Sequence, residues 1–228
     1  MPRFGRGARL TSAAQEDYLK AIHALSNEGE AVPNSQLVEE LAVSAASVSE
    51  MLGKLAALDL VTHDPYRGAR LTDAGRTIAV EIVRHHRLLE TYLVQALGYT
   101  WDEVHQEADR LEHAISEQFE ERMWEALGRP AFDPHGDPIP GLDGRLEAPS
   151  AQSLHLAPAG VTVAVSRISD RDPEKLRAIE RLGIAPGQLI RIVAQSRWEA
   201  PVVVELAGVE IPVPLGLARA IFTRDADG

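Results

Sequence analysis

The chain has 228 residues, of which 45% are hydrophobic and 25% charged, a composition typical of a globular protein of about one to three domains. It contains no cysteine, which excludes a disulfide framework, a thiolate metal site and a cysteine nucleophile. The formal net charge of −11 argues against constitutive binding to nucleic acid, but not against a binder whose charge is altered by bound cations. Because the sequence has neither the apolar run of a membrane helix nor that of a secretory signal, we expect a cytoplasmic protein that does not bind membranes.

The first third of the chain carries the pattern of a winged helix-turn-helix. A capping box predicts a helix over about 12–26, and a second helix begins at Pro33, each with apolar residues at helical spacing. A third helix is predicted over about 44–58, with small polar residues at its N-terminal end, as in a recognition helix. Two short extended segments, 60–63 and 69–72, flank a turn rich in proline and glycine and predict the hairpin that forms the wing.

Positive charge is concentrated at two places in this region. Arg3, Arg6 and Arg9 lie in a glycine-rich N-terminal arm, which fits a phosphate-contacting arm and a disordered terminus equally well. Arg67 and Arg70 lie in the predicted wing, where they would present positive charge to a partner.

Two long helices are predicted next. The first runs from a cap at Thr72 to about Leu97, and the second from a capping box at Thr100 to about Leu127, each ended by a glycine. The second helix combines apolar residues with an acidic face. This pattern suits a helix packed in a dimer, and core packing within the monomer is an alternative of equal weight.

These two helices carry histidines and acidic residues at helical spacing. His86 and Glu90 are four positions apart, and so are His105 and Asp109, which places each pair on one face of a helix. Two such faces can converge on a divalent cation, whereas each pair taken alone is more simply explained as a solvated face. The whole set is His86, Glu90, His105, Asp109, Glu112 and His113.

The rest of the chain predicts a linker followed by a small β domain. Residues 131–150 are rich in proline, glycine and aspartate, as in a linker or irregular loop. His135 in this segment, like His85 on the first long helix, is expected at the surface and not on a metal. Within 154–224, short β-rich runs surround one helix over 173–182, which predicts a β-barrel of SH3-like type.

Five stretches in this order resemble the family of the diphtheria toxin repressor and the manganese transport regulator. They are EDYLKAIHAL (16–25), HHRLLETYL (85–93), EVHQEADRLEH (103–113), GDPIPGLD (136–143) and IERLGIAPG (179–187). Together they span nearly the whole chain. The resemblance implies a mainly α fold with a small β domain. The implied domains are a winged helix-turn-helix (1–72), a metal-binding and dimerisation domain (73–144), a linker (145–153) and an SH3-like domain (154–228).

The resemblance also implies a primary metal site formed by Asp17, Asp109, Glu112 and His113. Iron-type members are similar but have methionine at the first of these places and cysteine at the second, where manganese-type members have carboxylates. Three carboxylates and one imidazole make an oxygen-rich site that suits Mn²⁺. Selectivity against Zn²⁺ and Cu²⁺, which bind most such sites more tightly, would have to come from the coordination number.

A second, ancillary site is implied at His86, Glu90 and His105, with Asp172 from the β domain as a further ligand. Lys175 stands where iron-type members have a glutamine, and a protonated lysine cannot ligate a metal. Lys20 stands where manganese regulators without the β domain have a glutamate. We therefore expect two separated mononuclear sites and not a close binuclear centre.

The function that the resemblance implies is a Mn²⁺-dependent transcriptional regulator, expected to be a repressor of metal-uptake genes. It would bind double-stranded operator DNA as a homodimer, with Mn²⁺ as cofactor; Fe²⁺ is the alternative metal, and other divalent ions would bind in vitro. No enzymatic activity and no small organic substrate are expected. The residues that match the DNA-contacting surface are Ser44, Ala46, Ser47, Ser49, Glu50, Lys54 and Arg67.

Two readings from other classes stay open on the sequence. One is a carboxylate/histidine metalloenzyme in which His105, Asp109, Glu112 and His113 supply ligands and a base. The other is a winged-helix sensor of a small organic ligand whose acidic helix face is only solvated. The first leaves the wing and the β domain unexplained.

Overall fold

The computed structural model describes residues 11–26, 29–64, 66–146, 150–169, 172–195 and 200–226. The predicted basic arm, with Arg3, Arg6 and Arg9, lies outside the described residues. The chain divides into two compact units, residues 1–85 with 142–144 and residues 86–141 with 145–228. Within the described ranges, no helix is long and apolar enough to cross a membrane.

The first unit is the winged helix-turn-helix that the sequence predicts. Its elements are α1 (Ala13–Leu25), α2 (Asn34–Leu41), α3 (Ala45–Ala57), β1 (Val61–Asp64), β2 (Gly68–Leu71) and the first half of α4 (Asp73–Leu97). The predicted capping box starts α1, with the amide of Ser12 donating to Gln15 Oε1 at 2.8 Å. Apolar residues from all three short helices form the core, among them Leu19, Ile22, Leu37, Val48, Leu52 and Leu55.

The wing is attached to the helices through the backbone. Strands β1 and β2 pair in antiparallel fashion, and Ala69 in β2 also exchanges two backbone hydrogen bonds of 2.8 and 3.0 Å with Val32, which precedes α2. Gly68 has a φ of +100°, and a Cβ at this position would collide with the carbonyl group of Val32. A glycine is therefore required where the wing meets the chain that leads into α2.

We predict that Gly68→Ala lowers the free energy of unfolding by about 1–3 kcal/mol, because alanine adds both a strained φ and a backbone collision. The matched control is Gly53→Ala, in the middle of α3 with no atom near the added methyl group. It should raise stability by about 0.5–1 kcal/mol through helix propensity. Urea unfolding followed by circular dichroism measures both, and equal effects of the two substitutions would contradict the prediction.

The helical part of the second unit differs from the sequence prediction. The single helix predicted over this region is wrong: the chain forms α5 (Trp101–Leu111) and α6 (Glu117–Ala126), separated by a turn. The cause is local, since Ser116 has extended backbone angles and its Oγ accepts a hydrogen bond from Phe119 N at 3.2 Å, which starts a new helix. Glu112 therefore lies at the C-terminal end of α5, and His113 lies in the turn that follows.

The C-terminal part is a six-stranded antiparallel sheet in the order β3-β8-β4-β5-β6-β7. The strands are β3 (Gln152–Ser153), β4 (Thr162–Ile168), β5 (Leu189–Ala194), β6 (Val202–Leu206), β7 (Val209–Val213) and β8 (Ile221–Asp225), with helices α7 (Pro173–Arg181) and α8 (Leu215–Ala218). The SH3-like class is confirmed, and β3 and β8 are strands that the sequence did not predict. Among the described strands, β3 does not pair with β7, so the sheet is open and not a closed barrel.

The β domain packs on α5 within the second unit. Trp101, the first residue of α5, lies against the apolar core of the sheet. Asp102 accepts a hydrogen bond of 2.6 Å from Arg177 of α7, and this hydrogen bond lowers the pKa of the Asp102 carboxyl. Gly136 has a φ of +90°, and any side chain there would collide with the carbonyl of Ser166 in β4. The segment predicted as a linker thus packs tightly against the sheet at Gly136, and its residues 131–141 are called the folded linker.

Candidate metal centre and DNA-contacting surface

Three residues of the predicted ancillary set lie together where α4 meets α5. Glu90 Oε1 is 3.0 Å from His86 Nε2 and 3.1 Å from His105 Nδ1. The two ring nitrogens are 3.0 Å apart, and the rings meet edge to face with centroids separated by 4.7 Å. His86 and Glu90 are buried, and His105 is half-buried. The helical spacing of His86 and Glu90 brings both side chains to the same point, as the sequence predicts.

The carboxyl of Glu90 is ionised in this surrounding. Its burial by itself raises the pKa, but the charge of His86 and contacts with the imidazoles of His105 and His135 outweigh the burial, so that the pKa lies well below the usual value. A buried carboxylate with two imidazole nitrogens about 3 Å from one oxygen is a donor set that can bind a divalent cation.

The residues predicted for the primary site lie beside this cluster. Asp109 Oδ1 is 3.3 Å from His86 Nδ1, so that Asp109 groups with His86 and His105. Glu112 is buried, and its Oε2 is 2.6 Å from His86 Nδ1. His113 Nε2 lies 3.5 Å from Glu112 Oε1. In this structure His86 therefore contacts residues of both predicted sets.

The two remaining predicted ligands belong to other helices, α1 and α7. Asp17 is a half-buried residue of α1, in the first unit. Asp172 is the N-cap of α7: its Oδ1 accepts from the amides of Glu174 and Lys175 at 3.0 and 3.2 Å, and its Oδ2 is 3.2 Å from Lys175 Nζ. Among the described residues, no group of converging metal-binding side chains includes Asp172.

Two histidines expected at the surface are buried. His85 and His135 both have a relative exposure of 0%, so these expectations are wrong. His85 lies in a stretch of α4 that is buried throughout, and its Nε2 is 3.9 Å from Glu81 Oε1. His135 is held by the folded linker, with its amide donating to Asp133 Oδ1 at 2.9 Å and its ring against Trp101.

Asp133 also belongs to this neighbourhood, and no spacing rule identifies it. Burial raises its pKa to about 8, and the charges of Glu90 and Asp137 add to the effect, against the opposing charges of His135 and Arg87. Arg87 Nε is 3.7 Å from Asp133 Oδ2. The only sequence signal was indirect, namely that DPHGDPIP is rich in turn-forming and metal-binding residue types.

All seven residues predicted to contact DNA are exposed. Ser44 is the N-cap of α3 and accepts from the amide of Ser47 at 3.1 Å, and Lys54 Nζ is 2.7 Å from Glu50 Oε1 one turn away. Arg67 lies in the turn of the wing. The first turns of α3 thus present small hydroxyl and methyl groups, which can approach base edges closely.

The fold and these side chains are those expected of a DNA-binding protein with a metal site between its helices. Family models match most of the chain in three parts: the iron dependent repressor N-terminal DNA binding domain at residues 10–69, the iron dependent repressor metal binding and dimerisation domain at residues 72–141, and the FeoA domain at residues 152–225.

Individual relatives agree with these matches. The iron-dependent repressor IdeR of Mycobacterium tuberculosis is 32% identical over 219 residues, covering 90% of this chain and 94% of that protein. The diphtheria toxin repressor of Corynebacterium efficiens is 30% identical over 227 residues, covering 93% of this chain and 96% of that protein. This chain belongs to the iron-dependent repressor family of metal-dependent transcriptional repressors.

Solved structures are similar along most of the chain. A manganese-dependent transcriptional repressor in complex with manganese is 41% identical with a TM-score of 0.84, covering 92% of this chain and 99% of that one. The manganese regulator SloR is 33% identical with a TM-score of 0.72, covering 92% of this chain and 98% of that one.

Proposed function

We propose that the protein is a Mn²⁺-dependent repressor that binds a double-stranded DNA operator as a homodimer and controls genes of metal-ion uptake. The observation that carries this proposal is the convergence of His86, Glu90 and His105, with Asp109 and Glu112 beside them, in the metal-binding domain of a repressor. The similarity to a manganese-dependent repressor and to the regulator SloR supports the choice of Mn²⁺.

The donor atoms also favour Mn²⁺. The proposed ligands supply carboxylate oxygens and imidazole nitrogens, and the chain offers no cysteine thiolate. Such ligands suit a hard cation better than a soft one. Fe²⁺ is the second candidate, because the relatives are named iron-dependent repressors and Fe²⁺ accepts the same donor types.

The proposed primary ligands are Asp17, Asp109, Glu112 and His113. A bound divalent ion would add positive charge and join the side chains that ligate it. Because Asp17 lies on α1, which packs in the same core as the recognition helix α3, ligation by Asp17 would restrict the position of the DNA-binding unit. The protein would exist in a form that can bind the operator and a form that cannot. To shift their ratio from 1:99 to 99:1, metal binding must favour the DNA-competent form by about 5.5 kcal/mol.

The proposed ancillary ligands are His86, Glu90, His105 and Asp172. Asp172 caps α7 and pairs with Lys175, so its carboxylate would have to release Lys175 Nζ to bind a metal. This ligand would add a metal-dependent link between the helices and the β domain, beside the ion pair of Asp102 and Arg177.

DNA recognition is proposed for the exposed face of α3 and for the wing. Ser44, Ala46, Ser47, Ser49, Glu50 and Lys54 would face the major groove, and Arg67 would contact the phosphate backbone. Small hydroxyl and methyl groups suit contacts with thymine methyl groups and give modest direct readout, so much of the specificity would come from DNA shape.

We predict that Glu112→Ala abolishes Mn²⁺-dependent operator binding, with a loss of affinity of about tenfold or more in a gel shift at saturating Mn²⁺. The reason is that this buried carboxylate is a proposed metal ligand. Glu107→Ala is the matched control, because it removes a carboxylate from α5 that pairs with the exposed Arg110. Wild-type binding that is equally strong without metal would refute the proposed switch.

Asp172→Ser tests the fourth ancillary ligand. Serine retains an oxygen that can cap α7 but supplies no carboxylate, so we expect weaker Mn²⁺ binding with little change in the unfolding temperature of the metal-free protein. Isothermal titration calorimetry measures the first quantity and differential scanning calorimetry the second. An unchanged Mn²⁺ isotherm would remove Asp172 from the site.

Arg67→Ala tests the wing. Loss of one phosphate contact should weaken binding to specific and nonspecific DNA alike and reduce the slope of log K against log salt by about one. Arg129→Ala, which removes an exposed arginine that pairs with Glu125, should leave the slope unchanged. Fluorescence anisotropy over a range of salt concentrations gives the slope, and identical slopes for wild type and Arg67→Ala would exclude the contact.

A further inference from the structure

Glu90 has a second oxygen that does not take part in the cluster with His86 and His105. Its Oε2 points toward the folded linker, where it lies 3.7 Å from His135 Nδ1. Asp133 completes a group in which one ligand atom from each of the three residues lies within 4.8 Å of the others. All three residues are buried. This group, Glu90, Asp133 and His135, is called the inner triad below.

The contact of His135 Nε2 shows where the ring carries a proton. His135 Nε2 lies 3.2 Å from the carbonyl oxygen of Trp101, and because a carbonyl can only accept, Nε2 carries the proton. Nδ1 faces the carboxylate of Glu90, and once it gives up its proton it presents a lone pair there. An imidazole whose N–H donates to a backbone carbonyl while the other nitrogen faces carboxylates has the arrangement of a metal-ligating histidine.

The inner triad is rich in acceptors. Within the described part of the chain, no hydrogen-bond donor reaches Glu90 Oε2, although the atom is inaccessible to water. Asp133 Oδ1 already accepts from the amides of His135 and Asp137 at 2.9 Å each. Arg87 lies 3.7 Å from Asp133 Oδ2, but its guanidinium also donates to the carbonyl of Pro138 and lies 3.6 Å from Asp137. A buried carboxylate oxygen without a donor is costly unless a cation approaches it.

We propose that Glu90, Asp133 and His135 bind an additional small divalent transition-metal ion, so that the Glu90 carboxylate bridges this ion and the ancillary one. The proposal rests on the proposed function insofar as Glu90 is an ancillary ligand. The spacing is suitable, since two ligand atoms 3.7 Å apart can both lie about 2.0–2.2 Å from one ion. Two carboxylates and one imidazole are a donor set for Mn²⁺, Fe²⁺ or Zn²⁺.

The inner triad is connected to the packing of the β domain. The carbonyl of His135 accepts from Ile168 N in β4 at 2.8 Å, and its ring contacts Trp101, which lies against the core of the sheet. An ion held by His135 would therefore stabilise the contact between α5 and the β domain. The proposed primary ion, by contrast, would restrict the position of the DNA-binding unit.

The test uses the full chain loaded with Mn²⁺. Anomalous diffraction from Mn²⁺-soaked crystals should show a peak between Glu90, Asp133 and His135, in addition to the peaks of the proposed primary and ancillary sites. Equilibrium dialysis followed by metal analysis should give one Mn²⁺ per chain fewer for His135→Gln than for wild type. Glutamine can still donate to the carbonyl of Trp101, but it supplies no ring nitrogen.

Two further variants make the result specific. Asp133→Asn keeps an oxygen for the two backbone amides and should lose the same equivalent of Mn²⁺, which covers the case that His135→Gln does not fold. His155→Gln is the matched control, because His155 lies outside the inner triad and contacts Ser153. This variant should bind as many Mn²⁺ ions per chain as the wild type.

The outcomes separate this inference from the proposed function. The inner site is overturned if the wild type fills its other sites but shows no peak at the inner triad, and if both variants bind as many Mn²⁺ ions as the wild type. The proposed Mn²⁺-dependent repressor would stand in that case. A wild type that binds no Mn²⁺ at all overturns both. Loss of the same equivalent in His155→Gln would also overturn the inner site, because the loss would then not depend on the triad.

Discussion

The buried carboxylate of Glu90 lies where α4, α5 and the folded linker meet, and a histidine from each of the three lies against it. Removing the charge of Glu90 from water costs several kcal/mol, which is recovered only through close opposite charge or a bound cation. The imidazoles of His86 and His105, 3.0 and 3.1 Å from Oε1, supply part of that compensation, and the imidazole of His135 lies 3.7 Å from Oε2. The same carboxylate is thus a structural element and a proposed metal ligand.

The break between α5 and α6 comes directly after two of the proposed primary ligands. Glu112, the C-cap of α5, keeps helical backbone angles and donates its amide to Ala108 O at 2.9 Å, so its carboxylate reaches His86 on α4 as it would from a continuous helix. His113 follows in the turn, with its Nε2 3.5 Å from Glu112 Oε1. The serine cap that starts α6 changes the direction of the chain only beyond these residues.

The folded linker is a packed element. Gly136 allows the backbone to approach β4, and His135 connects the carbonyl of Trp101 to the neighbourhood of Glu90. Together with the ion pair of Asp102 and Arg177, these contacts hold the β domain on α5 through residues of the chain itself. Proposed metal ligation by Asp172 would reinforce an existing contact and would not have to create it.

Much of the architecture could be predicted from local signals. Periodic apolar residues and the capping box at Ser12 predict the helices of the winged unit, and the Pro/Gly turn predicts the wing, because these patterns depend on residues a few positions apart. The i, i+4 spacing of His86 and Glu90 likewise predicts a shared helix face. The break at Ser116 was missed because serine also occurs within helices, and β3 was missed because it has only two residues. Length does not explain why β8 was missed, since it is as long as β6 and β7.

What the sequence by itself determined is therefore the class of fold and the residue types of a metal centre on two helices. Only the tertiary structure decided that His135 is buried and faces Glu90, and that Asp133 joins it. These contacts join residues that lie far apart in the chain or in an irregular segment. No periodicity encodes them, since they depend on how the linker folds back against α4 and α5.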